Sequence, residues 1–173
     1  FKYYERLKII NNLRKKLRDK YDSHLILALL ILDQTNNYEY FCHKYKTSNN
    51  IKNKFENISV NFENLKSKKF YLQENIKKLI YLSNKDYVRD LLLFSICTNN
   101  KIKILDIEKL IDYVAICEIP KFPISGDYLK KYGYKTGQAL GKKLKSLEEK
   151  WIENDFIIEK KIIKKSLSKT REN

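Results

Sequence analysis

All four glycines, Gly126, Gly133, Gly137 and Gly141, and both prolines, Pro120 and Pro123, fall within residues 120–141. Lysines crowd this stretch and the residues just after it: Lys130, Lys131, Lys135, Lys142, Lys143 and Lys145. Glycines at the start of a helix expose backbone amides, and the helix dipole adds positive potential at that end. Lysines beside them add full charges. The combination suits an anion, above all a phosphate. Tyr128, Tyr132 and Tyr134 interleave with Lys130, Lys131 and Lys135. Aromatics among lysines can stack exposed bases, which fits single-stranded or looped RNA.

Two helices must position these groups. Ser125 can cap a short helix from Gly126 to Tyr132, and Gly133 is expected in the left-handed conformation that ends it. Residues Gly133-Tyr134-Lys135-Thr136-Gly137 then form a tight hairpin. Thr136 can cap a longer helix to about Glu153, with Leu140, Leu144, Leu147 and Trp151 on one face. Helix, glycine turn, helix is the geometry of a helix-hairpin-helix phosphate clamp. The charge order agrees: Lys142, Lys143 and Lys145 come early, and Glu148, Glu149 and Glu153 come late. The macrodipole favours the reverse order by about 0.3–1 kcal/mol per end charge. A bound phosphate would turn that liability into attraction. The competing reading is an ordinary Lys145–Glu149 pair, with glycines that merely let two helices pack closely. Spacing does not separate the two.

Other constellations are thin. Cys42-His43 with a distant His24 falls short of the four ligands of a structural zinc site. Asp86 and Asp90 share a helical face and, beside Lys85 and Arg89, read as an ion-pairing surface. No G-x-S-x-G and no D-x-D pair occurs. Residues 157–167, IIEKKIIKKSL, read as an amphipathic basic helix. They could lie on a membrane surface, or cap the tail's core while turning Lys160, Lys161, Lys164 and Lys165 toward RNA.

The whole chain is 173 residues with 43% hydrophobic and 13% aromatic residues, which excludes wholesale disorder. Its net charge of +15 rests on 31 Lys and 5 Arg, against 3 Ala. That skew points to an A+T-rich genome, so basicity alone says little. Its distribution says more. Residues 1–20, 121–145 and 160–171 carry +6 each, and the remaining 116 residues carry −3. Localised positive surface favours a polyanionic partner, with a solvated lysine coat as the competing reading. The longest apolar run, Leu25 to Leu32, is too short to cross a bilayer. Three cysteines without a C-x-x-C pair exclude a disulfide framework and favour a cytoplasmic setting. No methionine occurs and the chain opens on Phe1, which predicts a piece of a longer protein.

An all-α fold follows: a helical body over 1–118 and a helical tail over 119–173. In the body, Tyr3, Leu7, Ile10, Leu13 and Leu17 recur at helical spacing. Asp22 or Ser23 can cap a buried helix through Leu32, and a short helix spans about Tyr38 to Tyr45. Ser48 can cap the next, whose apolar face is Ile51, Phe55, Ile58 and Phe62. Phe70 to Leu82 forms another. Ser83 with Asp86 resembles a capping box for a central helix from Tyr87 to Cys97. Asp106 to Cys117 closes the body.

Residues 122–156 resemble the tail of class II bacterial tRNA nucleotidyltransferases, the CCA-adding enzymes, and of their poly(A) polymerase relatives. The resemblance rests on Phe122-Pro123-Ile124-Ser125-Gly126-Asp127-Tyr128-Leu129, then Tyr132-Gly133-Tyr134-Lys135-Thr136-Gly137. It continues through Gly141-Lys142-Lys143-Leu144-Lys145-Ser146-Leu147-Glu148, Trp151-Ile152 and Asp155-Phe156. Tyr132 and Tyr134 stand where the family carries Leu and another aliphatic. Weaker echoes lie at Leu17, Ser48-Asn49-Asn50 and Asp90-Leu91-Leu92-Leu93. The resemblance implies the tRNA acceptor arm as partner, bound through Ser125, Gly126, Lys130, Lys131, Gly133, Tyr134, Lys135, Thr136, Gly137, Lys142, Lys143 and Lys145. It also implies that magnesium, ATP and CTP belong to a head and neck, in the same or a separate chain, and that this chain alone holds no catalytic or metal-binding residue. Two alternatives stand beside it: a separate RNA-binding subunit of a split enzyme, and a standalone helical interaction protein with a basic face. CCA and poly(A) addition are not distinguishable from these residues.

Overall fold

A computed structural model describes residues 2–158. Among these the regular structure is helical, with no strand. The chain divides into two compact units, with the boundary between Cys117 and Glu118.

The first unit holds α1 (Glu5–Asn11), α2 (Lys15–Arg18), α3 (Ser23–Ile31), α4 (Asn37–Tyr45), α5 (Asn49–Asn61), α6 (Gln73–Leu82), α7 (Lys85–Thr98) and α8 (Ile104–Ile116). Short 3-10 turns at Asn64–Lys66 and Lys68–Tyr71 join α5 to α6. Helix α7 is the axis of this unit: it packs against α1, α3, α5, α6 and α8. Val88, Leu91, Leu92, Leu93 and Phe94 are fully buried along it. Burying a Leu or Phe side chain stabilises by about 1.5–3 kcal/mol, so this run alone anchors the unit.

Local signals set the helix starts. The Asp22 side chain accepts from the Leu25 amide and opens α3; Ser48 does the same for α5 through the Ile51 amide. The expected capping box at Ser83 is corrected. Asn84 caps α7 by accepting from the Tyr87 amide, while the Ser83 hydroxyl donates back to the Leu79 carbonyl at the end of α6. The N-terminal helical spacing is also broken in two. Asn12 closes α1, and Leu13 and Leu17 reach the core from a turn and from α2. The helix expected from Phe70 begins only at Gln73, after a 3-10 turn. Helix α8 starts at Ile104, two residues earlier than expected.

Two charged side chains tie the body together, Arg6 half-buried and Asp90 buried. Arg6 donates from Nη1 to the carbonyls of Leu29 (3.0 Å) and Leu32 (2.7 Å), which satisfies the C-terminal end of α3. Arg89 pairs with Asp86 at 2.7 Å and with Asp90 at 3.6 Å, as the ion-pairing reading expects, but one part of that reading is corrected: Asp90 is buried, not surface. Lys54 Nζ lies 2.9 Å from it and 2.6 Å from Asp22, so one ammonium ties α5 to α7 and to the cap of α3.

The second unit holds α9 (Gly126–Lys130) and α10 (Gln138–Glu153). Its core is Ile124, Leu129 and Leu147, with Phe122, Tyr128, Tyr134, Leu140, Leu144 and Ile158 packed around them. Trp151 lies between Phe122 and Phe156, with ring centroids at 5.3 and 4.9 Å. The basic run expected at 157–167, with Lys160, Lys161, Lys164 and Lys165, lies outside the described residues beyond Ile158.

Candidate functional site

The α9–turn–α10 segment is built from caps and glycines. Ser125 Oγ accepts from the Tyr128 amide at 3.2 Å and opens α9. The helix ends two residues earlier than expected, at Lys130, and Gly133 follows at φ +92°. The turn's own bonds run from the Tyr132 amide to the Leu129 carbonyl, 2.9 Å, and from the Gly133 amide to the Lys130 carbonyl, 3.0 Å.

The start of α10 differs from expectation. Thr136 does not cap it. Gly137 occupies the N-cap at φ +145° and ψ −168°, a region essentially reserved for glycine. Glycine offers no side-chain acceptor, so no cap satisfies the amides of the first turn, and that turn carries no acidic residue. The turn is at the surface: Tyr132, Gly133, Lys135, Thr136, Gly137, Gln138, Ala139 and Gly141 are all exposed.

The glycines divide by role. A Cβ at Gly126 would meet Leu140 Cδ2 at 3.5 Å, so Gly126 sits where α9 and α10 touch. Gly133 and Gly137 are required by their backbone angles. Gly141 has neither reason. It lies inside α10, its backbone is helical, and a Cβ there would meet nothing within 4 Å. Glycine inside a helix costs about 0.5–1 kcal/mol relative to alanine. The fold therefore does not account for it.

The lysines are not equivalent. Lys131, Lys135, Lys142 and Lys145 are exposed, and Lys143 is half-buried. Lys130 is exposed but pairs with Asp127 at 2.9 Å. The hydrogen bond from Lys130 holds the Asp127 carboxyl below the usual carboxylate range. The tyrosines also separate. Tyr134 packs on the unit's core. Tyr128 and Tyr132 stack on each other, with centroids 5.2 Å apart and hydroxyls 3.2 Å apart. That hydroxyl contact pushes the Tyr128 pKa up.

Among the described residues no three His, Cys, Asp or Glu side chains gather closely enough to hold a metal ion. None of their helices is long and apolar enough to cross a membrane. Cys42 and His43 line a surface pocket with Glu39, Glu56 and Lys52, not a ligand cluster. Tyr40 and Tyr45, both strongly exposed on α4, had no periodic or motif signal in the sequence.

A family model described as tRNA nucleotidyltransferase domain 2 matches residues 17–167. CCA tRNA nucleotidyltransferase 1, mitochondrial, of Danio rerio is similar: 34% identical over 62 residues, which is 36% of this chain and 14% of that protein. The chain thus aligns with only a small part of that relative's length. No solved structure matches.

Proposed function

The chain belongs to the tRNA nucleotidyltransferase domain 2 family, and from that premise we propose that it is the tRNA-gripping portion of a CCA-adding enzyme. The tail turn seats phosphates of the acceptor arm. The uncapped amides at the start of α10 point their dipoles at the backbone oxygens, and Lys135, Lys142 and Lys145 supply the charge. Such a grip fixes position without reading bases. Nucleotidyl transfer belongs to a head domain elsewhere, which holds the metal ions and the nucleotide. No step of that transfer is assigned to residues of this chain.

Gly141 carries this reading. It is the one glycine of the segment whose presence neither packing nor backbone angle explains, and it faces open space one residue before Lys142. Its neighbours Gly137, Lys142 and Lys145 are all exposed.

The test is a titration of the chain with tRNA over a range of salt concentrations. The logarithm of affinity should fall steeply with the logarithm of salt, by about 0.9 per duplex phosphate neutralised. Replacing Lys135 and Lys142 together with alanine should make that slope shallower by about 1 for each phosphate no longer neutralised. A flat salt response, or equal affinity for an acidic protein, would overturn the reading.

A further inference from the structure

The chain has 13 tyrosines. Most are buried or half-buried; the strongly exposed ones are Tyr4, Tyr40 and Tyr45, with Tyr132 at the threshold. Tyr40 and Tyr45 lie five residues apart on the nine-residue α4, exposed by 69% and 60%. The buried face of that helix is made by Tyr38 and Cys42. The other two tyrosines are therefore not needed for the core.

Tyr45 is nevertheless held in place. The Tyr45 ring lies 4.7 Å from Phe41, and Phe41 lies 6.2 Å from Phe55, which is fully buried. An aromatic ladder thus runs from the interior to the exposed Tyr45 ring. Lys44 Nζ sits 5.7 Å from the centroids of both Tyr40 and Tyr45. Lys46 follows in the left-handed conformation at φ +47° and is exposed. Two exposed rings, of which Tyr45 is braced from the interior, share one ammonium, with a second lysine beside them. That chemistry fits an unpaired nucleotide: its base stacks on a ring and its phosphate meets a lysine.

We propose that α4 carries a stacking platform for unpaired RNA bases, formed by Tyr40 and Tyr45 with Lys44 between them. It rests on the reading of this chain as RNA-binding, and adds a base-contacting surface on the body to the phosphate-contacting turn of the tail. Duplex RNA offers no free base face, so the platform discriminates in favour of single strands.

The experiment uses the whole chain and three probes: an unstructured oligouridylate of about ten nucleotides, within the span of a single-strand site, the same backbone without bases, and a duplex of equal length. Tyr40→Ala and Tyr45→Ala should each weaken oligouridylate binding about 5- to 150-fold, the range for loss of one stacked base. Tyr40→Phe and Tyr45→Phe should retain it, because stacking needs the ring and not the hydroxyl. The base-free backbone should bind as weakly as the alanine variants. The thermal midpoint of Tyr45→Ala, compared with Tyr45→Phe, separates a loss of stacking from a loss of folding. Unchanged oligouridylate affinity in both alanine variants, or equal loss of duplex affinity in them, overturns the platform. Loss of tRNA binding in Lys135→Ala/Lys142→Ala while the tyrosine variants bind normally sinks the platform alone. No tRNA binding by the unaltered chain sinks both proposals.

Discussion

The backbone of Gly126 rests against Leu140, where an added Cβ would sit 3.5 Å from Cδ2. This packing sets the start of α9 against the first turn of α10. It fixes the path of the turn between them, so that Gly133 and Gly137 meet backbone requirements and the start of α10 is left open to solvent.

Gly137→Ala should destabilise the tail by about 1–3 kcal/mol, because a Cβ is strained at φ +145° and ψ −168°. Gly126→Ala should be nearly neutral, since 3.5 Å is ordinary van der Waals distance. Urea unfolding monitored by Trp151 fluorescence reads both, as Trp151 is buried in this unit. Equal stability of the Gly137→Ala variant and the parent would contradict the backbone argument.

Lys54→Met should destabilise the body by about 1–3 kcal/mol, because it takes the 2.9 Å partner from the buried Asp90 carboxylate and leaves it only Arg89 Nη2 at 3.6 Å. Burial works against the Lys54 charge, but hydrogen bonds to Asp22 and Asp90 outweigh it and its pKa is raised. For Asp22, burial is likewise opposed, and the bonds from Lys54 and the Leu25 amide leave its pKa lowered. A lowered carboxyl pKa gives stability that is present above about pH 4 and lost as pH falls through the folded value. A raised lysine pKa gives stability that is present at neutral pH and lost only in strong alkali. Thermal melting should therefore show a loss below pH 4 that Asp22→Asn makes smaller. That substitution keeps a capping acceptor and loses the charge.

Much of this architecture was legible because it depends on neighbours in the chain. Polar side chains ahead of helical stretches announced the caps at Ser48 and Ser125 and narrowed that of α3 to Asp22 or Ser23. Tight conformations announced Gly133. What failed was choice between adjacent candidates, or pairing across the chain. Ser83 and Asn84 are both good caps, and only the geometry at the end of α6 assigns the first to Leu79. Thr136 lost to Gly137 because the turn demands a positive φ there. Asp90 looked like surface because its partner Lys54 is on another helix. Tyr40 and Tyr45 gave no signal, since exposure of an aromatic is decided by what the rest of the fold leaves uncovered.

Cys97 should resist alkylation at pH 8 in the folded protein. Burial, partly offset by the Tyr21 hydroxyl and Arg6, pushes its thiol up to about 11, and Cys42 and Cys117 are buried as well. Mass spectrometry after brief iodoacetamide treatment should find little label without denaturant and full label with it. Rapid labelling of Cys97 under native conditions would contradict the burial described.

The most direct measurement pairs stability with tRNA affinity for Gly141→Ala. Inside a helix and with open space around the new methyl group, alanine should stabilise α10 by about 0.5–1 kcal/mol. If a backbone phosphate approaches this residue closely, the same methyl group must weaken tRNA binding while the protein becomes harder to unfold. A variant that is more stable and binds tRNA as tightly as the parent would show that nothing approaches Gly141, and would remove the turn from the tRNA interface.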